Sequence, residues 1–465
     1  MHKPIRPVVI LGGGIGGLAT AYQLLKQGIP AILVDRNAEL GGLMRPVKWG
    51  DFQLDVGQKQ LYDRIPEVQA FLEEVLEGDL VSYPYRVGAF FKGRVLERDR
   101  SHRGIFRGMP LLWIIRGGLD LLWHRFLKGK TTEQHLEAHA YSRKGRFFSR
   151  SFTQGFDEKL KCRAWRSVAV PGSSATQEEG SSPIGIWGRI KGWLDRGNSR
   201  QKVWWHPRGG TGGLIEALRE KILDLGGEIW LNAEVRAIKV HDAKVMGVKI
   251  EREDEEVWLW TDHLVSSLRL EILAQLMDLD HHYETKEVSF RRGVILIYAF
   301  LDREVDLPHT CLQITDPDLK IGRITNYGAY QCGMVPPGQG CLAFELFCLE
   351  DDPWYGASDQ DLIDLVRAEF GGMRSFHLDH ASSFKVMRLP LGDAAANWSD
   401  YLDDPSRARM FQQLLEVSNL YPVGRTGMDK TIHAGLEAAV SIAHCDRAGF
   451  VVNASPVGTG PKFSL

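Results

Sequence analysis

The chain has 465 residues, of which 44% are hydrophobic and 25% are charged, and its formal net charge is −2. These proportions are ordinary for a globular protein with a large core, and they exclude a chain that is disordered throughout or collagen-like. Glycine is abundant, with 49 residues, which indicates many tight turns or close ligand approaches.

The cysteines and the apolar runs indicate the cellular compartment in which the protein is expected. No pair among the 6 cysteines has C-x-x-C spacing, and no cysteine–histidine cluster has zinc spacing, so no metal site is predicted. A disulfide framework would be unusual at this size, so we expect a reducing, cytoplasmic location. The longest apolar run, Val294 to Leu301, is far shorter than the roughly 20 residues that a membrane-spanning helix needs.

The N-terminal region reads as a strand, a glycine-rich turn, a helix and a second strand. The apolar run from Pro7 to Leu11 predicts a buried parallel strand. After the turn, Leu18 to Gln27 is helical in pattern, and the second strand, Ala31 to Val34, ends at an acidic residue, Asp35. This combination is much more specific for a dinucleotide site than a glycine motif alone.

Each residue type in this unit has a physical role in such a site. Gly12 permits the tight turn, Gly14 lets the backbone approach a pyrophosphate, and Gly17 lets helix and strand pack closely. The helix N-terminus then faces the phosphates, and the Asp35 carboxylate would accept hydrogen bonds from a ribose.

A second glycine signature follows the second strand and separates the candidate cofactors. The stretch Glu39-Leu-Gly-Gly-Leu43, with Arg45, resembles the FAD-binding entry of flavoprotein amine oxidases, protoporphyrinogen oxidases, phytoene desaturases and UDP-galactopyranose mutases. The resemblance implies FAD rather than NAD, with Gly42, Leu43 and Arg45 close to its phosphates.

Two later segments resemble the same flavoproteins. Trp205 to Leu214 precedes a helix and a strand in which, by resemblance, the Val235 backbone contacts the adenine. Near the C-terminus, a Gly424-Arg425 turn leads into a helix that opens at Met428, as in the mutase and protoporphyrinogen-oxidase branch. The resemblance implies further cofactor contacts from Ile15, Gly16, Arg36, Gln58, Arg425, Asp429 and Thr431. Asp429 and Thr431 are both candidate N-caps of that helix.

The predicted fold class is α/β, with a Rossmann-like, GR2-type FAD-binding domain and an inserted helical and antiparallel-sheet substrate domain. Residues 1–58, 204–285 and 410–465 are assigned to the discontinuous FAD-binding domain. Residues 59–203 are predicted to be a mainly helical insertion, and residues 286–409 a substrate-binding antiparallel sheet. The substrate is expected between the sheet and the FAD-binding domain.

Two basic residues are the candidate catalytic groups. Lys59 takes the place at which the relatives carry a histidine beside the flavin. A lysine there could lower its own pKa, activate a water or hold an anionic substrate, although a surface lysine on a diverged loop is an equally weighted alternative. The resemblance directs Arg323 at the same pocket, with a structural ion pair as its alternative.

The insertion is basic and contains an apolar stretch. From Lys92 to Arg166 there are 18 Lys and Arg against 7 Asp and Glu, a surplus of +11. This indicates an anionic partner, such as a phosphorylated or nucleotide-linked substrate or lipid headgroups, or else a solvated face; no nucleic-acid-binding motif accompanies it. The apolar stretch from Met109 to Leu127 is expected to be buried core rather than a membrane-surface helix, and Ser173 to Pro183 a loop.

Three functions fit these patterns. The favoured one is an FAD-dependent oxidoreductase that passes a hydride from a small, anionic substrate to flavin N5. The second is a non-redox sugar isomerase like UDP-galactopyranose mutase, which uses reduced FAD. The third is a flavin-binding scaffold without catalysis.

Overall fold

A computed structural model describes residues 6–59, 65–84, 86–97, 109–124, 135–168, 203–279, 291–393, 405–424 and 427–444. The predicted loop at residues 173–183 and Arg425 lie outside these ranges.

A five-stranded parallel sheet forms the first layer, with strand order β19-β13-β1-β2-β9. Its strands are β1 (Val8–Leu11), β2 (Ala31–Val34), β9 (Glu228–Trp230), β13 (Leu264–Ser266) and β19 (Leu420–Pro422). The side chains of β1 and β2 are buried along their whole length, because helices pack on the sheet. This explains why these strands read as continuous apolar runs rather than as alternating patterns.

Eleven α-helices lie in the described ranges. They are α1 (Ile15–Lys26), α2 (Pro66–Leu76), α3 (Leu111–Leu122), α4 (Leu136–Lys144), α5 (Arg146–Ser149), α6 (Gly155–Lys161), α7 (Thr211–Asp224), α8 (Leu270–Leu276), α9 (Asp359–Phe370), α10 (Pro405–Glu416) and α11 (Met428–Ala443). The first, second, seventh and last of these helices contribute to the core around the parallel sheet.

Smaller sheets flank the parallel one. An antiparallel sheet consists of β10 (Ala233–His241), β11 (Lys244–Arg252) and β12 (Glu255–Trp260). Two two-stranded sheets pair β3 (Val47–Trp49) with β4 (Phe52–Leu54), and β5 (Leu80–Pro84) with β8 (Val203–Pro207).

A seven-stranded sheet, with order β18-β14-β17-β16-β15-β6-β7, forms the second large layer. Its strands are β6 (Val87–Phe91), β7 (Arg94–Glu97), β14 (Arg291–Leu301), β15 (Cys311–Ile314), β16 (Arg323–Asn326), β17 (Gly340–Leu349) and β18 (Ala381–Asp393). Pairing is antiparallel except between β6 and β15. Apolar clusters cover both of its faces.

The distribution of strands refines the predicted organisation. The parallel sheet draws its strands from three separate parts of the chain, as a discontinuous domain requires. The segment 59–203, expected to be mainly helical, also contributes β6 and β7 to the large sheet of the segment 286–409. The exact domain boundaries remain a prediction. None of the helices in the described part of the chain is long and apolar enough to cross a membrane.

Candidate functional site

Where β1 leads into α1, the structure leaves no room for a side chain at two glycines but does leave room at a third. A Cβ atom at Gly12, where φ is +102°, would lie 2.1 Å from the Ser267 hydroxyl oxygen. A Cβ at Gly17 would lie 2.1 Å from the Gly12 carbonyl oxygen. At Gly14, by contrast, a Cβ would meet no atom within 4 Å. The turn therefore has a cradle on its Gly14 side that a ligand could approach closely, which fits a dinucleotide pyrophosphate.

The second glycine signature lies directly beside the first. The Gly41 N–H donates to the Gly13 carbonyl oxygen at 2.8 Å, and Gly41 forms an isolated parallel bridge with Gly14. A Cβ at Gly42 would have only Gly14 Cα near it, at 3.8 Å. The structure thus brings together two motifs that are separated by nearly thirty residues of sequence.

Arg45 closes this second turn. Its Nη1 donates to the Gly42 carbonyl oxygen at 2.9 Å, which places its positive charge beside the paired glycine turns. This is where an anionic phosphate group would be stabilised.

Asp35 holds the first turn from the end of β2. One of its carboxylate oxygens accepts from the Gly13 N–H at 2.7 Å. The other accepts from the Asn37 backbone and side-chain N–H groups, both at 2.8 Å. A carboxylate has about four acceptor positions, so Asp35 retains capacity for a ribose hydroxyl while it braces the turn.

The N-terminus of α11 packs against the N-terminus of α1. A Cβ at Gly16 would lie 2.9 Å from Thr431 Cγ2, and Asp429 is buried nearby. The predicted N-caps were wrong: the cap is Gly427 (φ +96°), and no side chain caps the helix. Instead, the Thr431 hydroxyl donates back to the Gly427 carbonyl oxygen at 2.8 Å.

Gly424 lies where β19 ends. Its Cβ position would be 3.4 Å from the Ser267 carbonyl oxygen, and Ser267 is the residue that contacts Gly12. The beginning of the predicted Gly-Arg turn is therefore adjacent to the β1–α1 turn.

The remaining cofactor candidates occupy varied positions. Val235 is partly buried in β10, at a register irregularity of that strand. Arg36 is exposed and lines a cleft of about 340 Å³ together with the ends of β10 and β11. Ile15 is buried in the core, and Leu43 is exposed. At these positions, a cofactor could be contacted only by backbone atoms or by groups on the protein surface.

A buried carboxylate links the loop after β4 to the glycine-rich stretch before α7. Asp55 accepts from the Thr211 N–H at 2.7 Å and from the Thr211 hydroxyl at 2.8 Å. Its other oxygen lies 2.8 Å from His206 Nε2. Burial would raise the pKa of Asp55, but the charge and hydrogen bond of His206 and the two hydrogen bonds from Thr211 outweigh burial and hold this pKa below its ordinary value.

Lys59 lies four residues further along the same loop and is partly buried. Removal from water lowers the pKa of its ammonium group; the carboxylates of Asp55 and Glu345 oppose the shift, and the charges of Arg323 and Arg45 add to it. Lys59 is thus partly buried near several charged groups, and its catalytic role stays a prediction.

Arg323, which is partly buried, forms an ion pair with the buried Glu345 within the large sheet. It lies directly opposite Glu345 in the register of β16 and β17, and its Nη2 donates to the Glu345 carboxylate at 2.5 Å. Burial alone would lower the pKa of Arg323, but the Glu345 charge holds it above its ordinary value. The predicted alternative, a structural ion pair, is therefore present.

Gln58 connects this ion pair to the loop. Its side-chain oxygen accepts from Arg323 Nη1 at 3.2 Å, and its N–H donates to Glu345 at 3.2 Å. The hydroxyls of Tyr298 and Tyr327 both donate to the Asp55 carbonyl oxygen, at 2.9 and 2.7 Å. The backbone that presents Lys59 is thus anchored from several sides.

Sequence reasoning missed three members of this arrangement: His206, Thr211 and Glu345. His206 and Thr211 lie inside the glycine-rich stretch that carries the resemblance, but their side chains gave no separate signal. Glu345 did have one, because it is the single acidic residue in the apolar run from Cys341 to Phe347. A lone buried carboxylate in a core strand needs a partner.

The chain is similar in sequence to known flavoproteins. Residues 15–443 match the family of flavin containing amine oxidoreductases. The lycopene-forming phytoene desaturase of Pantoea ananas is 26% identical over 272 residues, which are 53% of each chain. The 4,4'-diapophytoene desaturase of Methylomonas sp. is 22% identical over 334 residues, 65% of this chain and 62% of that one. The chain spans about half to two thirds of the length of the curated relatives it matches.

Solved structures share the fold across nearly the whole chain. Reduced UDP-galactopyranose mutase superposes with a TM-score of 0.73 and 16% identity, covering 97% of this chain and 98% of the other. A putative protoporphyrinogen oxidase from Exiguobacterium sp. 255-15 superposes with a TM-score of 0.68 and 16% identity, covering 95% and 99%. At these identities the likeness concerns the fold alone.

Fold and paired glycine turns define a class of flavoprotein oxidoreductases whose cofactor is FAD. The chain belongs to the flavin containing amine oxidoreductase family. This confirms the expected superfamily and cofactor.

Proposed function

We propose that this protein uses FAD to oxidise a small molecule by removing a hydride from it. The observation that carries the proposal is the continuity of the site. Thr211 joins the second glycine turn to the loop of Lys59, because its hydroxyl donates to the Asp55 carboxylate at 2.8 Å and lies 3.2 Å from the Met44 carbonyl oxygen. Gln58 of the same loop then contacts Arg323 and Glu345. A cofactor cradle and a polar cluster with a perturbed lysine are thus neighbours, an arrangement typical of active sites.

The cofactor would be held by the first turn, the second turn and the N-terminus of α11. The open side at Gly14 would receive the pyrophosphate at the α1 N-terminus, Asp35 the ribose, and Arg45 the phosphate charge. The remaining proposed contacts come from Gly12, Ile15, Gly16, Gly17, Arg36, Gly42, Leu43, Gln58, Val235, Gly424, Arg425, Asp429 and Thr431. FAD, when bound, supplies the acceptor for the hydride.

Lys59 would handle the proton. Burial lowers the pKa of Lys59, so its ammonium group loses a proton more readily, and the neutral Nζ would then accept a proton from the substrate directly or through a water. When protonated, the same group would attract an anionic substrate. Arg323 lies in the ion pair with Glu345 and holds Gln58, so its part is to position the loop that carries Lys59.

Anaerobic mixing of the FAD-loaded protein with amines, polyenes, porphyrin precursors and nucleotide sugars would test the proposal. We expect one class to bleach the oxidised-flavin absorption and to yield a product that has lost two electrons. Lys59→Met should slow that bleaching by about 10²-fold or more, whereas Lys48→Met, at an exposed site on β3, should not.

Other outcomes would overturn the proposal. Turnover of a nucleotide sugar only after flavin reduction, without net electron consumption, would establish the non-redox isomerase. The fold shared with UDP-galactopyranose mutase is the reason for including nucleotide sugars in the test. Tight FAD binding without turnover of any class would establish the scaffold.

A further inference from the structure

Helix α3 exposes a continuous apolar face. The side chains of Leu111, Leu112, Ile115, Leu119, Leu122 and Trp123 are between 50% and 77% exposed. At 3.6 residues per turn, these positions project within an arc of about 120°. The prediction that this stretch is buried core was therefore wrong for half of the helix.

The opposite face of α3 does pack on the protein. Trp113 and Ile114 lie against the apolar cluster that contains Phe91 and Leu96 of the sheet edge, and Gly117 is buried against the Phe148 ring. The helix is thus apolar on both sides. An all-round apolar helix is normally covered on both sides, and exposed apolar patches of this kind mark interaction surfaces.

Basic residues lie at the margin of the exposed face and beside the helix. Arg116 is exposed at the margin. The turn between α4 and α5, which exposes Arg143, Lys144 and Arg146, contacts the packed side of α3, where the Phe147 N–H donates to the Asp120 carboxylate at 2.8 Å. Asp120, the only acid in α3, lies on the packed side of the helix rather than on the exposed face.

We infer that α3 is a docking helix for an anionic lipid bilayer and lies in the plane of its surface. Apolar side chains would insert below the headgroups, and Arg116 at the margin would pair with anionic lipid phosphates. The sequence around the helix is basic, with a surplus of +11 between Lys92 and Arg166, which favours an anionic surface as the partner. A second copy of this chain fits less well, because a two-fold interface would bring two copies of this basic region together.

Vesicle co-sedimentation of the FAD-loaded, 465-residue protein tests the inference. We expect binding to vesicles of phosphatidylcholine mixed with phosphatidylglycerol, and much weaker binding to phosphatidylcholine alone. The double variant Leu112→Ser/Leu119→Ser should reduce binding to the mixed vesicles at least about tenfold, because it replaces two of the apolar side chains that would insert below the headgroups. Arg116→Gln should weaken binding to the mixed vesicles only.

A matched control uses exposed apolar residues elsewhere. Leu223→Ser/Val440→Ser changes two side chains that are 42% and 44% exposed on other helices, and it should leave vesicle binding unchanged. FAD content and unfolding midpoint, measured for every variant, report whether each has folded. Equal sedimentation of the α3 variant and the wild type would overturn the inference. So would a dimer in solution that the α3 variant converts to a monomer, because a second copy would then cover the face.

Discussion

The Asp55 carboxylate and the His206 ring form a fully buried pair, with 2.8 Å between Oδ2 and Nε2. Because Asp55 also accepts two hydrogen bonds from Thr211, it joins the loop that carries Lys59 to the N-terminus of α7. The pair therefore determines where the candidate catalytic loop lies relative to the cofactor turns.

Replacing Asp55 with asparagine should destabilise the protein by about 2–3 kcal/mol, because it removes the carboxylate charge from the buried hydrogen bonds with Thr211 and His206, and one hydrogen bond to a charged group contributes roughly 1.5–3 kcal/mol. Urea unfolding measures the loss. Asp79→Asn is the control, because Asp79 pairs with Arg208 in solvent, and it should change stability by less than about 1 kcal/mol. Equal effects of the two variants would contradict the assigned role.

The Asp55 carboxylate should also make the free energy of unfolding depend on pH in the acid range. Its pKa is lower in the folded state than its ordinary value of 3.8, so its contribution is fully present above that value and is lost as the pH falls below it. The stability difference between wild type and Asp55→Asn should therefore shrink in that range. Unfolding curves measured for both proteins from neutral pH downward test this. A stability difference that stays constant as the pH falls would contradict the prediction.

The Arg323–Glu345 pair should show strong coupling. Glu345→Leu alone leaves the partly buried Arg323 guanidinium without its carboxylate, at a cost of about 1.5–3 kcal/mol, whereas Arg323→Met/Glu345→Leu should cost less than the sum of the two single changes. A double-mutant cycle in chemical unfolding measures this coupling. The more exposed pair Arg388–Asp359 is the control and should couple by less than about 1 kcal/mol.

Lys59→Met should increase stability at neutral pH. The pKa of Lys59 is lowered below 10.5 by burial, so between its folded-state pKa and 10.5 the unfolded chain binds more protons and wild-type stability rises with pH. The variant lacks this rise, and its advantage should narrow toward pH 10.5. Parallel stability–pH curves for the two proteins would show that Lys59 is not desolvated.

Gly14→Ala should weaken FAD binding without harming the fold. The backbone at Gly14 has φ −74°, and a Cβ there meets no protein atom within 4 Å, so only an approaching ligand would clash with it. Titration of the apoprotein with FAD should show an affinity loss of tenfold or more. Gly356→Ala, with equally open surroundings, should bind FAD like the wild type, and an unaffected Gly14→Ala would exclude the proposed cradle.

Local patterns predicted the units whose signal lies within one segment. The strand Ala31–Val34 was predicted with its observed bounds, and the helix before it begins at Ile15 rather than at Leu18. The difference arises because packing against α11 stabilises glycines in the first turn that helix propensity alone disfavours. The N-cap of α11 was predicted wrongly because Gly427, a glycine with a positive φ, occupies the N-cap position in place of a capping side chain.

The sequence by itself determined the β-α-β unit, the two glycine signatures, the family and the cofactor, because these depend on residues close together in the chain. Only the tertiary structure paired Asp55 with His206 and Arg323 with Glu345, since partners far apart in sequence meet through strand register and loop packing. It also decided that α3 exposes one apolar face. When both faces of a helix are apolar, periodicity cannot distinguish the packed side, and only the neighbouring elements determine which one remains uncovered.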